Sequence, residues 1–445
     1  MTDVDGAFDV VVVGSGSAGS TAAIAAARGG ASTVLIEALP FLGGTSTAVL
    51  DTFYGFYTPG PSARKVVGGI ADEVVDALRA MGPVLERPNT YGAGTGVTYL
   101  ADHLKVAWER LVESAGARIQ LHATVVDARV ADGRVTEVVV ATRAGLRSVR
   151  GAVFIDASGD ADQTHHAGIG YELAGDEAPA QTATTTFRMV NVDMAARRTI
   201  GKERLHQLMT AAAADGYDLP RREGSDHVTP VEGMTATIMT RLDQVRHDPG
   251  GRVRNASDPD VLTGLEIAGR RQALEYVRFL VDRVPGYEHA LLAALGTRVG
   301  VRETRRVYGD YRVTDEDVLA ARQFDDQIGL CGAPIEDHHG GGDGGTTWRY
   351  LPEGSAVGIP LRSLIVRDAT NLLVAGRCFS ATHDAHASIR SMAQCMAMGQ
   401  AAGTTAALAV GQGGDIRAVA VADVLTRLRR DGAVLSVPGA EVVGS

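Results

Sequence analysis

Gly14-Ser15-Gly16-Ser17-Ala18-Gly19 has the G-x-G-x-x-G spacing of a turn that cradles a pyrophosphate, and Glu37 follows about 20 residues later. Gly14 permits the tight turn, Gly16 lets the backbone approach the phosphates, and Gly19 lets helix and strand pack closely. A carboxylate at 37 accepts hydrogen bonds from ribose hydroxyls and repels a 2′-phosphate, so this motif calls for FAD or NAD rather than NADP. Proton chemistry near neutral pH has three candidates, His383, His386 and His338, and Arg302 and Arg390 can stabilise developing negative charge. Each also has a plainer reading: histidines in loops are more often structural partners, and Arg302 stands in a cluster with Arg305 and Arg306 that could anchor an interface. Glu336–Gly345 carries metal-capable side chains, but its five glycines read as a mobile loop and no metal is expected.

These groups need elements to hold them. Asp9–Val13 is a short apolar run, as for a strand buried on both faces, and it feeds the glycine turn directly. A small-residue helix over 17–28 follows, stopped by Gly29-Gly30, and then a strand over 33–36. The helix start offers free N–H groups and a positive dipole end to phosphate. The pair Gly43-Gly44 so soon after Glu37 suggests more backbone wrapped around a long ligand, which favours FAD. Further helices are expected at 67–81 and 100–116. A strand over 118–121 comes next, then a hairpin 123–131/134–142 turned at Asp132-Gly133, and a strand over 146–155. Between His165 and Ile359 the texture changes, with alternation over 182–192 and a long helix whose apolar positions include Leu274, Val277 and Val281. A buried strand at 371–376 and an Ala/Met helix at 393–410 return to the first style. Gln394, Gln400, Gly399 and Gly403 interrupt that helix, and its small residues suit tight packing against another helix rather than a membrane.

At 445 residues the chain can form two domains, and 22% charged residues fit a soluble globular protein. A net charge of −10 argues against nucleic acid or anionic membrane as partner. The three cysteines form no C-x-x-C, which excludes a dithiol centre and suits a reducing cytoplasm. The acidic N-terminus, entering a strand within ten residues, does not read as a signal peptide.

Taken together, Gly14–Gly19 with Glu37, Gly43-Gly44, Asp156–Asp160, Gly300–Arg306, Ile359–Leu364 and Asn371–Ser391 resemble the FAD-dependent oxidoreductases of the glutathione-reductase-like flavoprotein superfamily, over about residues 8–412. The resemblance implies an α/β fold: a discontinuous Rossmann-like FAD-binding domain (1–165 and 360–415), an inserted mixed α/β substrate domain (166–359), and a C-terminal helix and tail (416–445). It implies FAD contacts from the glycine turn and Glu37-Ala38, from Gly43 to Ser46, and from Val125, Ala157, Ser158, Gly159, Gly376 and Arg377. Ala387, Ser388 and Ile389 are expected to give backbone donors to the flavin pyrimidine edge, at a helix N-terminus whose partial positive charge suits the reduced ring. In that arrangement His383 and His386 lie in the segment that closes over the flavin.

Missing residues narrow the chemistry. No cysteine pair serves disulfide reduction. Gly92–Gly96 fails as a second nucleotide turn. Arg377, where related hydroxylases carry Asp, counts against hydroxylation, and Lys65 and Trp348 are poor substitutes for a halogenase site. The expected reaction is hydride transfer between a small organic substrate and flavin N5, as oxidation of an alcohol or amine, with O₂ or an external carrier as acceptor. The alternatives are a double-bond reductase, an NAD(P)H-dependent flavin monooxygenase, and a binding or assembly protein whose FAD is structural.

Overall fold

The computed structural model describes residues 6–61, 63–87, 96–338 and 345–437. The valine run forms β1 (Gly6–Val13), with Val10, Val11 and Val12 wholly enclosed. It leads through the glycine turn into α1 (Ser17–Arg28) and then β2 (Thr33–Ile36), the bounds expected from sequence. Helices α2 (Ile70–Met81) and α3 (Ala101–Ser114) follow, each a little shorter than expected, and then β3 (Arg118–Gln120). Three long strands come next: β4 (Thr124–Ala131), β5 (Arg134–Thr142) and β6 (Gly145–Asp156). Asp132 and Gly133 both take positive φ (51° and 72°), the conformation a tight two-residue hairpin turn requires.

The middle of the chain supplies β7 (Phe187–Val190), β8 (Ser225–Val228), β9 (Thr235–Ile238), α4 (Pro259–Arg283) and β10 (Leu291–Leu295). Next come β11 (Ile335–His338) and β12 (Thr346–Arg349). The chain then returns as β13 (Leu372–Val374), α5 (His383–Ile389) and α6 (Met392–Val410).

The central sheet has seven strands in the order β3-β2-β1-β6-β5-β4, with β13 also on β6. Pairing is parallel across β3-β2-β1-β6 and antiparallel through β6-β5-β4. β13 lies parallel to the last residues of β6, Leu372 opposite Phe154 and Val374 opposite Asp156, where β5 has peeled away. The fold is therefore mixed α/β with a parallel-dominated, Rossmann-type sheet that the late strand completes.

The second sheet, β8-β9-β7-β10, is antiparallel. Helix α4 covers it through Ala273, Tyr276, Phe279 and Leu280, which cluster with Phe187 and Met189. This corrects the expected face of α4. Leu274 is exposed and Val277 only partly buried, because the larger aromatic rings set the rotation of the helix.

Helix α6 crosses α1 at very short range. A Cβ on Gly399 would lie 2.0 Å from the Ala18 carbonyl oxygen, and one on Gly403 would lie 2.2 Å from that of Ala22. Small residues on both helices let the backbones meet, and among the described residues no helix is long and apolar enough to cross a membrane.

Candidate active site

The carboxyl ends of β1, β2, β6 and β13 open on one cavity of about 550 Å³. The three motif glycines differ in what surrounds them. A Cβ on Gly14 would meet the Ala157 carbonyl at 2.5 Å, and one on Gly19 would meet the Gly14 carbonyl at 1.7 Å. One on Gly16 would meet nothing within 4 Å, because that position faces the cavity. Two glycines thus close the turn and the third leaves room for a ligand beside the backbone, which is the space a pyrophosphate needs.

Glu37 lines the cavity but is not free. It accepts hydrogen bonds from the Ser15 N–H (2.8 Å), the Ser15 hydroxyl (2.6 Å) and the Leu39 N–H (2.8 Å), so it also ties the turn to the end of β2. Its oxygens retain lone pairs for a ribose. Ser15, Ser17, Ala18, Ala38, Gly44 and Thr45 share the wall, as do Val125, Ala157, Ser158, Gly159, Gly376 and Arg377. Gly19, Gly43 and Ser46 stand behind it: Gly43 N–H donates to the Ser15 carbonyl (2.9 Å), and Ser46 Oγ donates to the Gly43 carbonyl (2.6 Å).

Ala387, Ser388 and Ile389 are placed differently from expectation. They sit inside α5, buried, and Ser388 Oγ donates to the Ala333 carbonyl at 2.6 Å. The chain kinks at Ser391 (φ −61°, ψ 151°) and starts a second helix, so Ser391 and Met392 at the head of α6 line the cavity instead. The sequence shows one continuous small-residue stretch there, and only the kink separates the two helices.

Neither His383 nor His386 lines the cavity. His383 is held with Nδ1 2.9 Å from Glu303 and Nε2 3.2 Å from Asp337. Burial pulls its pKa down, but hydrogen bonds it donates to Asp337 and Glu303 outweigh that and raise it to about 9. An imidazolium has no lone pair with which to take a proton. Glu303 moves the other way: burial raises it, and His383 foremost brings it down to about 2. His386 is fully enclosed and burial lowers it to about 3. Its Nε2 lies 2.8 Å from the Arg377 carbonyl, to which a protonated Nε2 donates. Asp384 brings a ligand atom within 4.8 Å of those of Asp337 and His383, yet it is ion-paired to Arg349. The neighbouring arginines also separate by role. Arg306 is buried against Glu303 (2.5 Å) and Glu172, whereas Arg302 reaches the cavity.

The family described as FAD dependent oxidoreductase matches residues 9–428. The chain belongs to this family. It is an enzyme class, and its cofactor is FAD. No curated protein sequence matches the chain. Among solved structures, it is similar to a geranylgeranyl bacteriochlorophyll reductase-like protein from Thermoplasma acidophilum (15% identity over 95% of this chain and 82% of that one, TM-score 0.48). It is also similar to the flavin-dependent brominase Bmp2 (13% identity, 96% and 83%, TM-score 0.45). A third is the anhydrotetracycline hydroxylase OxyS from Streptomyces rimosus (10% identity, 96% and 65%, TM-score 0.45).

In this FAD-dependent oxidoreductase the cavity continues from the glycine turn to a lobe lined by β8, β9, β11 and β12, where Arg302, Arg390 and His338 meet. The sequence reading placed His338 in a mobile loop. Instead Glu336 and His338 lie on β11, paired with β12. Residues 339–344 of that loop, and Gly92–Thr95 of the rejected second nucleotide turn, lie outside the described residues. Alternation along the strand turns Glu336 and His338 to the same side, with His338 Nε2 3.1 Å from Glu336. Burial, then the charges of Arg302, Arg221 and Arg390, hold His338 well below the ordinary histidine range, so it is neutral. Burial raises Glu336 above the carboxylate range, although Arg390 and Arg302 oppose the rise. Glu336 escaped the sequence reading. The signal that could have found it is Glu-x-His in an alternating stretch, which the adjoining glycines masked.

Proposed function

We propose that this enzyme oxidises an alcohol or amine carbon of a small organic substrate held in the Arg302–Arg390–His338 lobe. In this reading the residues that hold FAD are Gly14, Gly16 and Ser17 at the turn, Glu37, Ser158, Arg377 and the head of α6. Bound there, FAD supplies the acceptor for the C–H hydride, with O₂ or an external carrier taking the electron pair onward.

The chain's own residues handle the proton and the charge. Neutral His338 takes the proton from the substrate heteroatom, and Glu336 beside it shares the resulting charge. Arg302 and Arg390 orient the substrate through charged hydrogen bonds. The observation that carries the reading is His338, with Glu336 at 3.1 Å, lining the same cavity as the glycine turn. The three cysteines are free and buried, which suits a reducing, cytoplasmic setting. The inserted 166–359 segment acts as the substrate domain.

The test is an anaerobic absorbance titration of the holoenzyme with NADH, NADPH, and then a panel of alcohols and amines. We expect the flavin band to survive both nicotinamides and to bleach with a member of the panel. His338→Ala should keep its flavin and bleach about a hundredfold more slowly or worse. Rapid bleaching by a nicotinamide, or an unchanged rate in His338→Ala, would overturn the reading.

A further inference from the structure

The arginines around the cavity are not equally satisfied. Arg221 has Glu223 at 3.9 Å, and Arg377 has Asp160 at 2.9 Å. Arg302 and Arg390 differ: among the described residues their hydrogen bonds go to neutral groups. Arg302 Nη1 donates to the Thr182 carbonyl (2.6 Å) and the Thr184 hydroxyl (2.8 Å), and Arg390 Nη2 donates to Gln181 Oε1 (2.8 Å). Arg390 Nε is buried with no hydrogen-bond partner, as are Arg221 Nε and Arg377 Nη1, so it is the absence of an ion-paired carboxylate among the described residues that sets Arg302 and Arg390 apart.

Burial, with the like charge of Arg390 nearby, lowers Arg302 to about 9, which leaves it charged at neutral pH. Two half-buried guanidiniums whose hydrogen bonds go to neutral groups are costly, and a bound anion offsets the cost. The lobe also sets a limit on that anion. Glu336 shares the wall with Arg302 and Arg390, and Glu223 offsets Arg221 there, so acidic groups already oppose part of the positive charge, a setting that suits a single negative charge better than a phosphate dianion.

Resting on the reading that this lobe receives the substrate, we infer that the substrate is a carboxylic acid whose carboxylate is bound by Arg302 and Arg390. The oxidisable alcohol or amine carbon then belongs to a hydroxy or amino acid. The planar fork of each guanidinium matches a carboxylate, which gives direction as well as affinity.

Binding of unreactive anions tests this without turnover. Holoenzyme is titrated with acetate and benzoate, with acetamide and benzamide as neutral isosteres, and with inorganic phosphate. Calorimetry and the flavin difference spectrum report binding at fixed ionic strength. At least one carboxylate should bind saturably and about tenfold or more tightly than its amide and than phosphate. Arg302→Met and Arg390→Met should each erase that preference, and Arg390→Lys should restore part of it. Flavin content and melting temperature report the folding of each variant. Amide binding as tight as carboxylate, a preference for phosphate, no carboxylate binding, or an undiminished preference in folded Met variants would overturn the inference. If the Met variants do not fold, the wild-type comparison of acid with amide still decides it. Carboxylate binding without any bleaching by alcohols or amines would leave this anion site standing and remove the oxidation reading. Bleaching by neutral alcohols without carboxylate binding would do the reverse.

Discussion

His383 shows how far neighbours can carry a residue from its ordinary chemistry. As a free imidazole it is a base near neutral pH; between Glu303 and Asp337 it is a cation with a pKa of about 9. Its charge therefore contributes to stability rather than to proton abstraction. The folded pKa exceeds the unfolded value of about 6.5, so this contribution is complete below that pH and is lost as pH rises through 9. The denaturation midpoint of the wild type should fall between pH 7 and 10 more steeply than that of His383→Gln. Parallel profiles for the two proteins would show that the carboxylates do not hold the imidazolium. His338 is the opposite case: burial first, then the arginine charges, push its pKa down, and in the reaction proposed above its free lone pair takes the substrate proton. Sequence proximity to the late strand favoured His383 and His386 over His338; the structure sets both away from the cavity wall, and the partners of His383, Glu303 and Asp337, come from distant parts of the chain.

At the scale of elements, the strongest constraint is the contact between α1 and α6. The glycine turn at the head of α1 lines the cavity, and α6 brings its own head to the same cavity, so their crossing sets the spacing between the two. Gly403→Val would place a side chain at the Ala22 carbonyl, where a Cβ already lies 2.2 Å away. Backbone cannot yield as a flexible side chain does, and the cost should be about 3 kcal/mol or more. Lower melting temperature together with lower flavin content is expected, read by calorimetry and by the flavin-to-protein absorbance ratio. Wild-type values for both would mean that the helices do not meet at Gly403. The small residues of both helices were legible as packing surfaces. The break at Ser391 was not, because no Gly or Pro marks it, and a serine, though favoured as an N-cap, is also tolerated inside a helix.

At the scale of the whole molecule, the FAD site proposed above would link parts that are far apart in sequence: the turn after β1, the end of β6 and the head of α6, which share one cavity. A ligand that binds only the folded chain stabilises it by mass action, about 2.7 kcal/mol at a hundred times its Kd. Apoprotein prepared by flavin extraction should melt below the holoenzyme and recover as FAD is added. Gly16→Val, with a side chain where the wall now stands open, should show no such recovery. An FAD-insensitive melting temperature in the wild type would contradict a cofactor held by all three parts. The sequence by itself determined the α/β class, the βαβ unit with its glycine turn, the Asp-Gly hairpin and the return of the late strand, because each rests on local periodicity and on backbone conformations that few residues tolerate. Tertiary structure alone decided which of the three candidate histidines faces the cavity, that Glu336 stands beside it, and that among the described residues the hydrogen bonds of Arg302 and Arg390 go to neutral groups. Those facts depend on which side chains meet across the fold, and a side chain's protonation and charge balance are set by neighbours that spacing along the chain does not reveal.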